Sequence, residues 1–371
     1  MAFALRPSDR LWFRRCRRAW DFGSRLRRNL EPASSPFAPD LEEALRDALA
    51  VYYFPGMWEW DRSIVRPLVA QELDRGLHRP RTASPDATAP EFARWEAELA
   101  TGRDLIGHYL EWAPTVDRFW PVRVATDFDV AVPDWRAPGQ DLVSPAGEPI
   151  RFQGRVDMLV VDEHDAYWVV RHRLRLARDG FSDFDLLALD DGLVAAGWAW
   201  EIFYLGMRVS GTIHNELLLG GTPPDAGEPV RRPRAAHAFA RARAEHRRMY
   251  AQAERIPNEV VVEEGGGMFR RTYIPRGEAE LAVLGRNLAG EALDMIDPDL
   301  AVYPTPAAHC SECAFRPPCL ALQQGADAEA ILAAGYRPRP PEVPEEGRLG
   351  GLTWSMNRGA APPPRWRGRN P

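Results

Sequence analysis

The 371-residue chain contains no lysine; all 47 of its basic residues are arginine. No mechanism that needs a lysine ammonium can therefore run on it. With Ala, Pro and Gly abundant, the pattern points to a GC-rich coding bias, so much of the arginine is not selected for chemistry. Cysteine is scarce, at four residues. Nothing approaches eighteen consecutive apolar residues, which excludes a membrane-spanning helix. The opening "MAFALRPSDRLWFRRCRRAW" lacks the long apolar core and small-residue cleavage site of a secretory signal, so the cytoplasm is the expected compartment. In that compartment the four cysteines are not expected to form disulfides. A net charge of -6 excludes a polycation.

A hydrophobic fraction of 45% supports one large core or two ordinary ones. Residues 7–30 read as a helix capped at Ser8 or Asp9, with Leu11, Trp12 and Phe13 buried. Residues 39–53 follow with apolar spacing at Leu41, Ala44, Leu45, Ala48 and Leu49. Further helices are expected over 62–76 and 89–112, separated by the loop "HRPRTASPDATAP". The period then changes to two in "FWPVRVATDFDVAVPD". Two strands follow around the turn "EHDA", then an apolar helix over 185–206 and a strand over 207–220. A basic, alanine-rich helix over 231–255, a hairpin over 258–274 and a helix over 276–295 complete the pattern. The order predicts an α/β fold, a central mixed sheet flanked by helices. The expected segments are an N-terminal helical region (1–115), a core (116–230), a C-terminal helical region (231–334) and a disordered Pro/Arg-rich tail (335–371).

"HCSECAFRPPCLAL" places Cys310, Cys313 and Cys319 as C-x2-C-x5-C, while Cys16 stands far upstream. Four thiolates saturate an iron–sulfur cluster or a tetrahedral zinc. A zinc ribbon takes two C-x-x-C pairs; one pair, one single and one remote residue favour a cubane that joins the two chain ends. His309 as a replacement ligand keeps zinc open. Buried free thiols are the bland alternative.

"GRVDMLVVDEHDAYWVVRHRL", residues 154–174, reads as a two-stranded hairpin with Asp157 on its first strand and Arg171 and Arg173 on its second. With the cysteine pattern, this hairpin resembles the RecB-like nucleases of the PD-(D/E)XK superfamily that carry an iron–sulfur staple, a group that includes the AddB subunit and the CRISPR spacer-acquisition nuclease. The resemblance covers roughly residues 5–325 in order of elements. It is specific in the cysteines and the hairpin. It implies a restriction-endonuclease-like fold with a 4Fe-4S cluster on Cys16, Cys310, Cys313 and Cys319, DNA as ligand and a helicase-type partner.

Position by position, the resemblance also implies a degenerate nuclease site. Arg46 falls where the family has a helix histidine. Ala125 or Thr126 falls at the first carboxylate, with Asp127 a register-shifted substitute. Asp157 matches the family aspartate, Arg171 the second carboxylate and Arg173 the lysine. Gly192, Leu193 and Val194 stand where a glutamine belongs. Two carboxylates are needed to hold magnesium or manganese against phosphate. A like charge at about 4 Å costs roughly 4 kcal/mol per unit at an effective dielectric near 20, which disfavours either ion here. Asp157 is instead expected to pair with Arg171 or Arg173. Asp162, Glu163 and Asp165 at the turn, and Asp179, Asp183 and Asp185 beyond the second strand, are the other acids available to rebuild a site.

Two basic runs, one containing Arg14 and Arg18 and the other Arg243 and Arg247, are candidates for phosphate contact. Solvated arginine in a lysine-free chain is the competing reading. Trp58, Trp60, Trp198 and Trp200 are candidate stacking platforms, with core packing the default for each. The favoured function is a catalytically silent nuclease-fold protein that binds DNA or serves as a structural iron–sulfur subunit in repair, recombination or defence. An active metal-dependent exonuclease with rearranged carboxylates and an iron–sulfur interaction or redox-sensing protein are the alternatives.

Overall fold

The computed structural model describes residues 3–33, 41–83, 88–204, 207–223 and 260–339. The basic helix expected over 231–255, with Arg243 and Arg247, and the tail from residue 340 lie outside the described residues. The chain forms two compact units, each assembled from separate stretches.

The larger unit takes residues 37–128 and 155–284. It begins with three helices, α3 (Leu41–Tyr52), α4 (Arg62–Ala83) and α5 (Ala89–Val116). The stripe Leu41, Ala44, Leu45, Ala48 and Leu49 recurs every three or four residues, and every member is buried. The sheet then runs through β3 (Phe119–Ala131), β4 (Arg151–Asp162), β5 (Tyr167–Leu176), β6 (Val209–Leu219), β7 (Val261–Gly265) and β8 (Phe269–Pro275). Its spatial order is β4-β5-β6-β8-β7, with β3 also on β4. β5 and β6 are parallel, whereas β4–β5, β6–β8 and β8–β7 are antiparallel. The sheet is therefore mixed, as the element order predicts.

Strand alternation sorts the side chains to two faces. Trp168 and Val170 of β5 and Ile213 and Leu217 of β6 pack into the core with α3, α4 and α5. His172 and Asn215 pair in register on that same face. Arg171, Arg173, His214 and Glu216 take the other face, where α7 (Asp191–Phe203) crosses β5 and β6. With both faces covered, β6 is buried along almost its whole length. Each fully buried large apolar side chain contributes roughly 1.5–3 kcal/mol.

The smaller unit takes residues 1–36, 129–154 and 285–345. It holds β1 (Ala4–Leu5), α1 (Pro7–Arg15), α2 (Arg17–Gly23), β2 (Leu30–Pro32), the end of α8 (Glu278–Ile296), α9 (Arg316–Gln323), α10 (Ala328–Gly335) and β9 (Tyr336–Pro338). β1 pairs parallel with Arg151 and Phe152, and β2 pairs antiparallel with β9. Phe22, Phe315 and Leu332 form its small core, with Trp12, Leu30, Cys313 and Tyr336 against it.

The structure departs from the sequence reading in four places. The helix expected over 7–30 is two helices broken at Cys16, whose backbone is extended. Its start is also different: Asp9 sits inside the first turn and accepts the Arg6 N–H at 3.1 Å, and Leu11 is exposed. The loop expected from His78 gives way to α4 as far as Ala83. The helix expected over 185–206 is α6 (Phe184–Ala188) followed by α7, because Asp190 interrupts it as the α7 N-cap. Ordered structure also reaches past Gly335, where β9 lies along β2.

Candidate functional site

The hairpin strands β4 and β5 carry Asp157 and its neighbours. Asp157 is half-buried, and its Oδ2 accepts the backbone N–H of His172 at 2.9 Å. Burial pushes its carboxyl above the usual range, against the pull of Arg171, Arg46, the His172 N–H and Arg155. Arg46, on α3, is thus among the charges that act on Asp157. Among the described residues no ion pair joins Asp157 to Arg171 or Arg173. Arg173 instead donates to Asp190 Oδ2 at 2.6 Å, and Asp190 Oδ1 accepts the Gly192 N–H at 3.1 Å. The expected cross-hairpin pair is therefore replaced by a strand-to-helix pair, because β5 points Arg173 at the start of α7. Burial opposes the Asp190 charge, but Arg173 and Arg171 overcome it and hold the carboxyl below its usual range.

Gly192 fits this crowding. A Cβ there would lie 3.3 Å from Arg171 Nη1 and 3.2 Å from Asp190 Oδ1. Leu193 and Val194, the other candidates for the family glutamine, are buried in the core.

Several of the remaining acids are engaged elsewhere. Asp127 forms a two-pronged pair with Arg155, at 2.6 and 3.0 Å. Asp162 closes the hairpin turn, accepting from the His164 and Ala166 N–H groups and Trp168 Nε1. Asp183 caps α6 by accepting the Asp185 N–H, and the Asp179 carboxylate lies 3.8 Å from Arg178 Nε. Ala125 and Thr126 bring no carboxylate to the first strand; Ala125 takes a left-handed φ of 43°, and Thr126 bonds to the Val124 carbonyl.

On the other face lies a polar network that the sequence reading missed. Arg271 of β8 donates to Asp117 at 2.6 Å, Tyr53 at 3.0 Å and Tyr109 at 3.1 Å. Asn215 donates to the Tyr109 hydroxyl at 2.9 Å and bonds His172 Nδ1 at 2.8 Å. The Arg271 guanidinium also lies over the rings of Trp112 and Phe119. Burial opposes its charge, but Tyr53, Asp117 and Tyr109 hold it above its usual range. Burial, then Arg271 and Arg46, pushes His172 down to about 3, so the ring is neutral. The network fixes the His172 ring, while the His172 backbone N–H holds Asp157. Its members come from the turn after α3, from α5 and from the residues that lead into β3 on one side and from three strands on the other, a separation no sequence spacing reveals. A second buried pair joins Glu216 to Arg270 at 2.6 Å, with Glu216 also accepting the Ser182 N–H.

The four cysteines all belong to the smaller unit, and all are free. The break between α1 and α2 places Cys16, whose sulfur accepts the Thr305 N–H at 3.5 Å. Burial pushes the Cys313 thiol up, and charge on Cys16, Cys310 and Cys319 acts in the same direction, against the Phe315 N–H. Cys16, Cys310 and Cys319 are thus all within electrostatic reach of Cys313, and four thiolates are the donor type of an iron–sulfur or zinc centre. Among the described residues, no three His, Cys, Asp or Glu side chains stand in a metal-holding arrangement. His309 Nε2 is buried without a hydrogen-bond partner.

The N-terminal arginines are largely committed to acids. Arg10 and Arg14 both donate to Glu291, Arg27 pairs with Asp21 and Arg28 with Glu329. Arg14 is therefore a structural ion-pair partner as well as a candidate phosphate contact, and Arg18 has one guanidinium nitrogen buried without a partner. Trp198 and Trp200 are core residues. Trp58 stacks on Tyr53, and Trp60 is exposed. No described helix is long and apolar enough to cross a membrane.

The sequence matches no model of a known protein family and no curated protein.

Proposed function

We propose that the chain is a RecB-like domain of the PD-(D/E)XK type that has lost metal-dependent cleavage. It binds DNA, or acts as a structural iron–sulfur subunit, within a repair, recombination or defence assembly beside a helicase-type partner. One observation carries the reading. Phosphodiester hydrolysis needs carboxylates converging on a dication, whereas the charged neighbours of Asp157 are the guanidiniums of Arg171, Arg46 and Arg155. Of the other carboxylates near these strands, Asp127 is paired with Arg155 and Asp190 with Arg173.

Cys16, Cys310, Cys313 and Cys319 would hold a 4Fe-4S cluster, which supplies a covalent tie between the two ends of the chain. The shared electrostatics of the four thiols support this assignment. The unpartnered His309 nitrogen favours zinc as a second reading.

Two experiments test the proposal. Incubation with single- and double-stranded DNA in magnesium should leave both intact; degradation that disappears in Asp157→Ala contradicts the loss of cleavage. Anaerobically purified protein should be brown, with iron and sulfide near about four each per chain. A colourless protein with one zinc replaces the cluster by the second reading.

A further inference from the structure

A tyrosine from the far end of the smaller unit holds the cysteine segment. Cys313 opens a tight turn, in which the Arg316 N–H bonds back to the Cys313 carbonyl at 3.1 Å. Ala314 and Phe315 form the middle of that turn. The Tyr336 hydroxyl donates to the Ala314 carbonyl at 2.6 Å, and the Tyr336 ring stacks on Phe315 at 5.5 Å and 19°. Phe315 also meets Phe22 at 5.6 Å and Trp12 edge-on at 6.2 Å. The packing is close: a Cβ at Gly23 would collide with the Trp12 ring and lie 2.8 Å from Phe315 Cε2. The Trp12 carbonyl accepts the Cys16 N–H at 2.8 Å. One aromatic cluster thus joins the backbone that carries Cys16 to the turn that carries Cys313. Cys313 and Tyr336 both pack on the core of Phe22, Phe315 and Leu332, whereas among the described residues Cys310 and Cys319 are not part of it. Tyr336 is itself fixed from outside the segment. It opens β9, which pairs with β2. Arg337 bonds Glu31 at 2.9 Å, and the Arg339 N–H bonds the Asn29 carbonyl at 2.8 Å.

We propose that Tyr336 is a positioning residue for the cysteine centre. Its hydroxyl fixes the turn that follows Cys313, and its ring covers the Phe315 side of that turn. A carbonyl in the middle of a tight turn has no backbone partner within the turn. A side-chain donor that satisfies it holds the peptide in one orientation, and the direction of the neighbouring thiol follows from that orientation. A tyrosine that only filled the small core would serve every thiol of the segment alike. A clamp on Ala314 and Phe315 acts on Cys313 selectively, because only Cys313 shares both the turn and the core with Tyr336. With a cluster bound, the same clamp would slow its loss. As a statement about Cys313 the inference stands without the iron–sulfur reading; as a statement about cluster lifetime it rests on that reading.

The test uses the full chain in two forms. Stripped of metal by a chelator, it is pulsed with iodoacetamide and each cysteine is read by peptide mass spectrometry. As isolated without oxygen, it is exposed to air and its iron content and colour are followed. In Tyr336→Ala, alkylation of Cys313 should rise about tenfold, the scale of one hydrogen bond and one aromatic pair, with Cys310 and Cys319 unchanged. Tyr336→Phe keeps the ring and loses the hydroxyl, so the rise at Cys313 should be smaller, about threefold. Where Tyr336→Ala lowers Tm, Tyr336→Phe alone decides. Colour should fade in air faster in both variants than in the parent. A selective rise at Cys313 in a protein that holds no iron supports the clamp and removes the cluster reading. A brown protein with no selective rise at Cys313 overturns the clamp and leaves the cluster reading standing. An equal rise at Cys310, Cys313 and Cys319 is general loosening and also overturns it.

Discussion

Burial sets the sign of what Asp157 contributes. Its carboxyl is raised above the usual range in the folded chain, so the folded state holds the proton more tightly than the unfolded state. Such a group contributes most below its unfolded pKa and loses that contribution as pH rises through the folded value. Asp157→Asn retains an oxygen for the His172 N–H and removes the buried charge. It should be neutral to about 1 kcal/mol stabilising at pH 7, with the advantage gone below about pH 4; Tm at the two pH values measures this. A clear loss of stability at pH 7 would mean that the charge itself is needed. Asp190 behaves in the opposite way. It is held low by Arg173 and Arg171, and it caps α7. Asp190→Ala loses both roles and should cost about 1–3 kcal/mol in urea unfolding, more than Arg173→Ala. A double-mutant cycle isolates the pair from the cap.

At the scale of elements, the strongest prediction concerns the polar network that binds β8 to α3 and α5. Arg271 and Asp117 are both almost wholly buried. Arg271→Met leaves the Asp117 carboxylate without its cation and should cost about 3–5 kcal/mol, whereas Arg271→Met with Asp117→Asn should recover much of that loss. Equal costs for the single and double variants would show that the charge pair is not what joins these elements. In the smaller unit, Cys16→Ser should speed hydrogen exchange both in α1–α2 and around β2–β9, because one centre would tie both chain ends. Change confined to α1 would argue against the tie. Periodicity made most of these elements legible: the α3 stripe, the β4–β5 hairpin and the mixed order of strands are all visible in local pattern. The breaks were not. An extended Cys16 inside a helical sequence and an N-cap at Asp190 inside an apolar run are set by what each residue meets in space. The sequence "LDDGLV" carried a cap signal that was outweighed by the hydrophobic run around it.

At the scale of the molecule, Arg171 and Arg46 are both among the charges that act on Asp157, whereas the bonds of Asp157 and Arg173 differ from the sequence reading. Strand alternation made the shared side of Arg171 and Arg173 on β5 legible. Ion-pair choice was not, because the partner of Arg173 comes from a helix cap seventeen residues away, and the anchoring network draws on residues from Tyr53 to Arg271. The net charge of -6 and the acids paired with Arg10, Arg14, Arg27 and Arg28 argue against a broad electrostatic footprint. Any strand binding should therefore be local, with a shallow salt dependence equivalent to a few phosphates. A slope of many phosphates would locate binding on a wide basic surface instead.

The central claim is that guanidiniums around Asp157 exclude a dication. Manganese titration followed by electron paramagnetic resonance tests it most directly. The full chain should leave the free-ion signal undiminished at millimolar manganese, with Asp157→Asn indistinguishable from the parent. Stoichiometric loss of that signal, abolished by Asp157→Asn, would contradict the account.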